Sequence, residues 1–260
     1  MKICRFIDPE TQRPRFGMIE NDAIYALKGE LSDENLSVGE TEPVVRLEAA
    51  RLLAPVEPSK IVCVGRNYRE HAAELGNAMP TEPLLFLKAP SAVVGQGDTI
   101  ELPLQSERVE HEGELAVVIG RKCRAVGEDE DPLSYVLGYT CVNDVTARDL
   151  QRRDVQFTRA KSFDTFCPVG PYVVTGLDPT DLRVETRVNG DVRQSGRTSA
   201  MAFPVPFLIR YISSVMTLNP GDIIATGTPA GVGPLLDGDT VEVEVEGVGT
   251  LRNHVKSLKK

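Results

Sequence analysis

The chain has 260 residues, 41% hydrophobic and 26% charged, with a formal net charge of −9. That length suits one large soluble domain with a small appendage, and an acidic chain without a basic cluster argues against nucleic acid and anionic membranes as partners. No apolar run approaches the roughly 20 residues of a membrane span.

The N-terminal Met1-Lys-Ile-Cys-Arg-Phe-Ile-Asp-Pro9 lacks the apolar core and cleavage site of a signal peptide, so a cytoplasmic location is expected. Residues 1–57 read as a small β-rich domain with no evident chemistry. Lys2–Ile7, Arg15–Glu20 and Asp22–Leu27 are short strands. A polar, acidic connector spans Gly29–Pro43, and a short helix is expected over Val44–Leu53 before Pro55 and Pro58.

The candidate chemistry falls in the rest of the chain, residues 58–260. Lys60–Gly65 is a buried strand ending at glycine, followed by the loop Arg66-Asn67-Tyr68. Arg69–Gly76 has helix-forming composition, which places His71 and Glu74 on one face. The pair is either an incidental surface contact or a general base whose tautomer a carboxylate fixes. Pro83–Lys88 is a further strand, its terminal lysine facing the Ala-Pro-Ser turn.

Val109-Glu110-His111-Glu112-Gly113-Glu114-Leu115 leads into the unbroken apolar run Leu115–Ile119, closed by Gly120. In a strand, Glu112 and Glu114 share a face about 6–7 Å apart, and His111 points the other way. Two carboxylates entering a core repel and lose hydration; one protonates, or a cation lies between them. Asp144, closing the apolar segment Tyr135–Asp144, is the best third ligand. Val241–Glu246 has the same Glu-x-Glu spacing in strict alternation, the pattern of a half-exposed strand. Glu112 and Glu114 either show such a charged face to water or, leading into unbroken hydrophobics beside a histidine, form a site, and the site reading is preferred.

Asp144–Arg153 resembles a helix start. Thr158–Asp164 is a polar segment whose Lys161 would ordinarily be a solvated side chain. Asn189-Gly190 marks a hairpin, and Pro206–Met216 is the most apolar helix. Gly221–Gly233 is a strand feeding a glycine-rich loop without the Gly-Lys-Ser/Thr of a phosphate loop, though its N–H groups can meet a carboxylate. The five scattered cysteines read as small core residues, and three histidines are too few for a nitrogen-rich metal site. Many strands and few crossover helices give a mixed, mostly antiparallel β architecture.

Seven motifs in order carry a resemblance: Val64–Tyr68, Leu85–Pro90, His111–Leu115, Asn143–Asp149, Arg159–Phe163, Phe166–Pro168 and Gly221–Pro229. Together they resemble the fumarylacetoacetate hydrolase family over about residues 60–255. The loop Arg66-Asn67-Tyr68 lacks an aspartate of the family's namesake. In this it is similar to the short isomerase, acylpyruvate hydrolase and oxaloacetate decarboxylase forms.

The resemblance implies a mostly β (mixed α+β) fold, a β-roll catalytic domain after the small N-terminal one. It implies Mg²⁺ or Mn²⁺ held by Glu112, Glu114 and Asp144, ligands that suit hard ions. Lys161 would face the substrate, and His71 with Glu74 would sit on a mobile lid. Gln151 and Thr228 would line the pocket, and Arg66 would meet a substrate carboxylate. The expected substrate is a small anionic 2-oxo (or 2-hydroxy-2-ene) dicarboxylic acid, as in aromatic degradation, with a metal-stabilised enolate leading to C–C hydrolysis or isomerisation. Oxaloacetate decarboxylation or tautomerisation is the alternative on the same residues, and a non-catalytic metal or carboxylate binder is the competing class. A homodimer is also implied.

Overall fold

The apolar run Leu115–Ile119 is buried on both faces because it lies inside the sheet it helps to build. Strand Gly113–Ile119 pairs antiparallel with Val136–Asn143 on one side and with Ile223–Ala225 on the other. The structure is a computed structural model that describes residues 1–29, 31, 37–39 and 41–258. Among these, the main sheet runs Ser37–Val38, Ala23–Lys28, Pro14–Glu20, Lys2–Ile7, Cys167–Val174, Val136–Asn143, Gly113–Ile119, Ile223–Ala225, Ile61–Gly65, Leu84–Lys88. Along that path only Ile223–Ala225 and Ile61–Gly65 are parallel. The mostly β, mixed α+β expectation holds.

Side-chain alternation divides the core in two. Leu115, Val117 and Ile119 pack with Leu208, Ile209 and Ile212 of helix Val205–Val215 and with Val184, Val243 and Val245 of a second sheet. That sheet has the order Thr99–Leu102, Gly249–Ser257, Thr240–Val245, Arg183–Val188, Asp191–Arg197. Ala116 and Val118 face the other way, onto Ile61, Cys63 and Ile223. Fully burying a Leu or Val side chain contributes about 1.5–3 kcal/mol, so this strand anchors both layers. All five cysteines are buried and unbridged, as core residues should be.

The second sheet bears out two expectations. Asn189 and Gly190 both take left-handed backbone (φ 56° and 85°), the geometry of a tight hairpin between Arg183–Val188 and Asp191–Arg197. In Thr240–Val245 the valines are buried and the glutamates half-buried, so alternation there does mean a solvated face.

Three expectations need correction. Val44–Leu53 is not a helix but two short strands, Val45–Arg46 and Leu52–Leu53, around a 3₁₀ turn at Leu47–Ala49. Val45 pairs with Ile24 and Leu52 with Phe6, so ladder bonds at a sheet edge override a weak helix propensity. The helix after Asp144 starts at Arg148, because Thr146–Ala147 pairs with Val109–His111. Lys88 does not face the Ala-Pro-Ser turn; it turns inward onto Asp144. Of the acidic connector expected over residues 29–43, residues 30, 32–36 and 40 lie outside the described residues, and within the rest Ser37–Val38 is a short strand paired with Leu27–Lys28. Strand Lys2–Ile7 pairs with Cys167–Val174, which makes the first strands continuous with the main sheet.

Candidate metal centre and cavity

Strand register brings the acids together. Gly113 pairs with Asn143, so Glu112, just before one strand, meets Asp144, just after the other. The Asp144 N–H donates to the Glu112 carbonyl at 2.8 Å, and the Glu112 N–H donates to Asn143 Oδ1 at 3.0 Å. Gly113 between the glutamates is required by a close approach: a Cβ there would lie 2.0 Å from Thr186 Oγ1. Carboxylate oxygens of Glu112, Glu114 and Asp144 all fall within 4.8 Å of one another, and all three residues are buried.

Cations then fill most of the space between acids. Lys161 Nζ donates to Glu112 Oε2 at 2.7 Å and Asp144 Oδ2 at 2.6 Å. Lys88 Nζ donates to Asp144 Oδ1 at 2.6 Å. Arg148 Nε donates to Glu110 Oε2 at 2.6 Å, and its other nitrogens reach Glu112 and Gln151. Glu114 differs from these acids. Among the described residues its one partner is the Gly227 N–H, 2.7 Å from Oε2, and no cation pairs with it. Gly227 has φ +99°, and a Cβ there would meet Asn67 Cβ at 2.7 Å, so glycine is what lets that N–H approach.

The electrostatics follow from this unequal pairing. Burial, reinforced by the Asp144 and Glu112 charges, pushes the Glu114 pKa well above the usual carboxylate range. Burial alone would also raise Glu112, but Lys161 and Arg148 outweigh it and hold Glu112 low. Burial would depress Lys161, yet Asp144 and Glu112 hold its pKa up at about 12. Four buried carboxylates (Glu110, Glu112, Glu114, Asp144) therefore meet three buried cations (Lys88, Arg148, Lys161) and the exposed Arg108 at Glu110, and Glu114 is the acid with no ion pair among the described residues. A site of converging oxygen donors with one unpaired acid fits a hard divalent ion.

These groups form the floor of a cavity of about 230 Å³. Glu112, Glu114, Asp144, Lys161, His71, Arg66, Gln151 and Thr228 all line it, so one space gathers eight of the nine residues singled out in the sequence. The ninth, Glu74, lies behind His71, its Oε2 3.4 Å from Nδ1, a long contact. Both Glu74 oxygens also accept the Gly231 N–H, at 3.1 and 3.2 Å, so the glycine-rich loop holds helix Arg69–Glu74 in place. Arg66 has left-handed backbone (φ 56°), rare for such a side chain. Asn67 enforces it, bonding the Phe203 and Thr226 carbonyls at 3.0 and 2.7 Å and the Phe203 N–H at 2.8 Å. Arg66 itself has no hydrogen bond or ion pair among the described residues.

Three participants were not anticipated. Lys88 and Arg148 carry the charge balance, and Gln194 braces the floor. Gln194 Oε1 takes His111 Nδ1 and the Gly113 N–H, both at 3.0 Å, and its Nε2 donates to Thr228 Oγ1 at 2.7 Å. His111 thus turns away from the acids, as strand alternation requires. Arg148 lies within the motif Asn143–Asp149, four residues after Asp144, which is its only mark in the sequence; nothing local marks Gln194.

The fold and the acidic cavity define an enzyme-type site of one recognisable class. The fumarylacetoacetate (FAA) hydrolase C-terminal family matches residues 60–256, and an Rv2993c-like N-terminal family matches residues 1–55. The chain belongs to the fumarylacetoacetate hydrolase family. An uncharacterized protein of Archaeoglobus fulgidus is 55% identical, over 90% of this chain and 93% of its own length. The oxaloacetate tautomerase YisK of Bacillus subtilis is 46% identical, over 82% of this chain and 76% of its own. The crystal structure of a 5-carboxymethyl-2-hydroxymuconate delta-isomerase from Mycobacterium smegmatis superposes with a TM-score of 0.90 at 45% identity, covering 99% of this chain and all (100%) of that one. Among the described residues no helix is long and apolar enough to cross a membrane.

Proposed function

We propose that this chain is a divalent-metal-dependent tautomerase or isomerase of small 2-oxo dicarboxylic acids, with Mg²⁺ or Mn²⁺ as its ion. The observation that carries this reading is the convergence of three buried carboxylates, one ammonium and one imidazole on a single small cavity. Two similar proteins named above, a tautomerase and an isomerase, support proton movement over bond cleavage. The cavity volume suits a compact metabolite better than a drug-sized ligand.

Glu112, Glu114 and Asp144 would hold the ion, which would supply Lewis acidity toward a 2-oxo acid and fix its orientation. Lys161 offers N–H donors to an oxygen on which negative charge gathers. His71, 5% exposed, has Glu74 at Nδ1, which leaves Nε2 to take a proton from the substrate carbon and return it elsewhere. Arg66, with no partner among the described residues, lines the cavity and is placed for a remote carboxylate. Leu84, Phe86 and Phe157 supply an apolar wall that keeps bulk water from the reacting atoms.

The test is a substrate panel assayed with Mg²⁺: enol oxaloacetate, hydroxymuconate-type dienes and acylpyruvates. Turnover of the first or second group is the expected result. Cleavage of acylpyruvates alone would replace the reading by C–C hydrolysis, and no turnover on any would favour a non-catalytic binder.

A further inference from the structure

Lys88 is the least expected member of the centre. It ends strand Leu84–Lys88, and alternation puts it on the same face as Leu84 and Phe86, which wall the cavity. Its own side chain does not reach the cavity. It is 1% exposed and runs beneath the floor, where Nζ donates to Asp144 Oδ1 at 2.6 Å and to the Val145 carbonyl at 3.1 Å. Asp144 therefore meets two ammonium groups with different access. Lys161 holds Oδ2 from the cavity side and shares Glu112 with it, and the Phe86 ring centroid lies 5.0 Å from its Nζ. Lys88 holds Oδ1 from the protein side. An ion arriving from the cavity competes with Lys161 for its oxygens but not with Lys88 for its own.

We propose that Lys88 is a positioning residue that makes Asp144 a one-oxygen ligand and thereby tunes the centre toward small octahedral divalent ions. The inference rests on the metal-dependent reading above. Its chemistry is that of carboxylate denticity. Mg²⁺ and Mn²⁺ take six oxygens in near-octahedral geometry, several of them water, with each carboxylate giving one, whereas Ca²⁺ accepts six to eight and is served by carboxylates that give both. With Oδ1 committed to a buried ammonium, Asp144 has one oxygen to give. The second bond, to Val145, fixes Nζ at two points and so fixes the carboxylate plane.

Two measurements test it. In crystals of the full chain soaked with Mn²⁺, Asp144 should ligate through Oδ2 alone, with Lys88 Nζ still at about 3 Å from Oδ1. Two Asp144 oxygens on manganese, or Lys88 displaced, would overturn the proposal while leaving the metal reading intact. Absence of manganese from the three carboxylates would instead sink the metal reading, and this proposal with it. The second measurement is the ratio of Ca²⁺ to Mg²⁺ affinity by calorimetry in K88M and K88R, with folding checked by circular dichroism. K88M frees Oδ1, so the ratio should shift toward Ca²⁺ by about tenfold or more, and K88R, which keeps a charged donor, should stay near the native ratio. Affinities that move in parallel for both ions, as a loss of charge or of packing alone would give, would refute the positioning role. If K88M does not fold, the manganese structure of the native chain decides alone.

Discussion

Glu114 offers a quantitative test of how this centre handles charge. Its carboxylate lies within 4.8 Å of oxygens on both Glu112 and Asp144, forms no ion pair among the described residues, and is buried. Burial first favours the neutral form, and two full charges at that separation repel by about 3 kcal/mol at an effective dielectric of ~20, which the Lys161 charge only partly offsets, so Glu114 favours its proton. An incoming divalent ion must displace that proton. Metal affinity should then rise about tenfold, or about 1.4 kcal/mol, per pH unit below the raised Glu114 pKa, with up to about one proton released per ion. The sign for stability is opposite. Because the folded chain holds this proton more tightly than the unfolded chain, metal-free stability falls as pH rises from the ordinary carboxylate range through the raised value. The assay is Mn²⁺ calorimetry in buffers of different ionisation enthalpy at several pH values, on the native chain and Glu114→Gln. The variant should bind more weakly and release no proton. Native binding that is independent of pH and releases no proton would refute the reasoning.

Asp144→Ala and Glu114→Ala should each abolish retained metal and turnover together, measured by metal analysis after dialysis and by assay; activity surviving in either would count against the shared ion. His71→Ala should slow turnover roughly 10²- to 10⁴-fold with metal affinity unchanged, because the imidazole sits at the cavity wall and not among the acids. Equal activity of native and variant would remove the proton-transfer role. Away from the site, the Thr11 N–H and the Arg15 guanidinium lower the Asp8 pKa from the ordinary 3.8 to about 2. Its stabilising contribution is present above 3.8 and is lost as pH falls through about 2, so Asp8→Ala should flatten acid unfolding over that window. An unchanged acid limb would show that those bonds contribute nothing.

How far the sequence carried this result can be seen residue by residue. The acidic trio was legible because strand periodicity is local: an apolar run next to Glu112 and Glu114 forces those side chains toward a core, and the contrasting alternation at Val241–Glu246 marks the ordinary case. His71 and Glu74 were legible for the same reason, being three apart on one helix. Lys88 was not, because its partner is 56 residues away and a lysine at a strand end is ordinarily solvated. Gln194 was hidden likewise: its bonds to His111, Gly113 and Thr228 depend on the second sheet packing under the first. The stretch Val44–Leu53 was misread because its composition allows a helix, and only the vacant edges of the strands at Phe6 and Ile24 decide otherwise.

The most direct test of the central claim is a titration of activity. The chelated native protein should be inactive on 2-oxo dicarboxylic acids, and added Mg²⁺ or Mn²⁺ should restore turnover along a curve that saturates at about one ion per chain. Full activity in the chelated protein would contradict it, since three buried acids with no ion to share would then have no part in the chemistry.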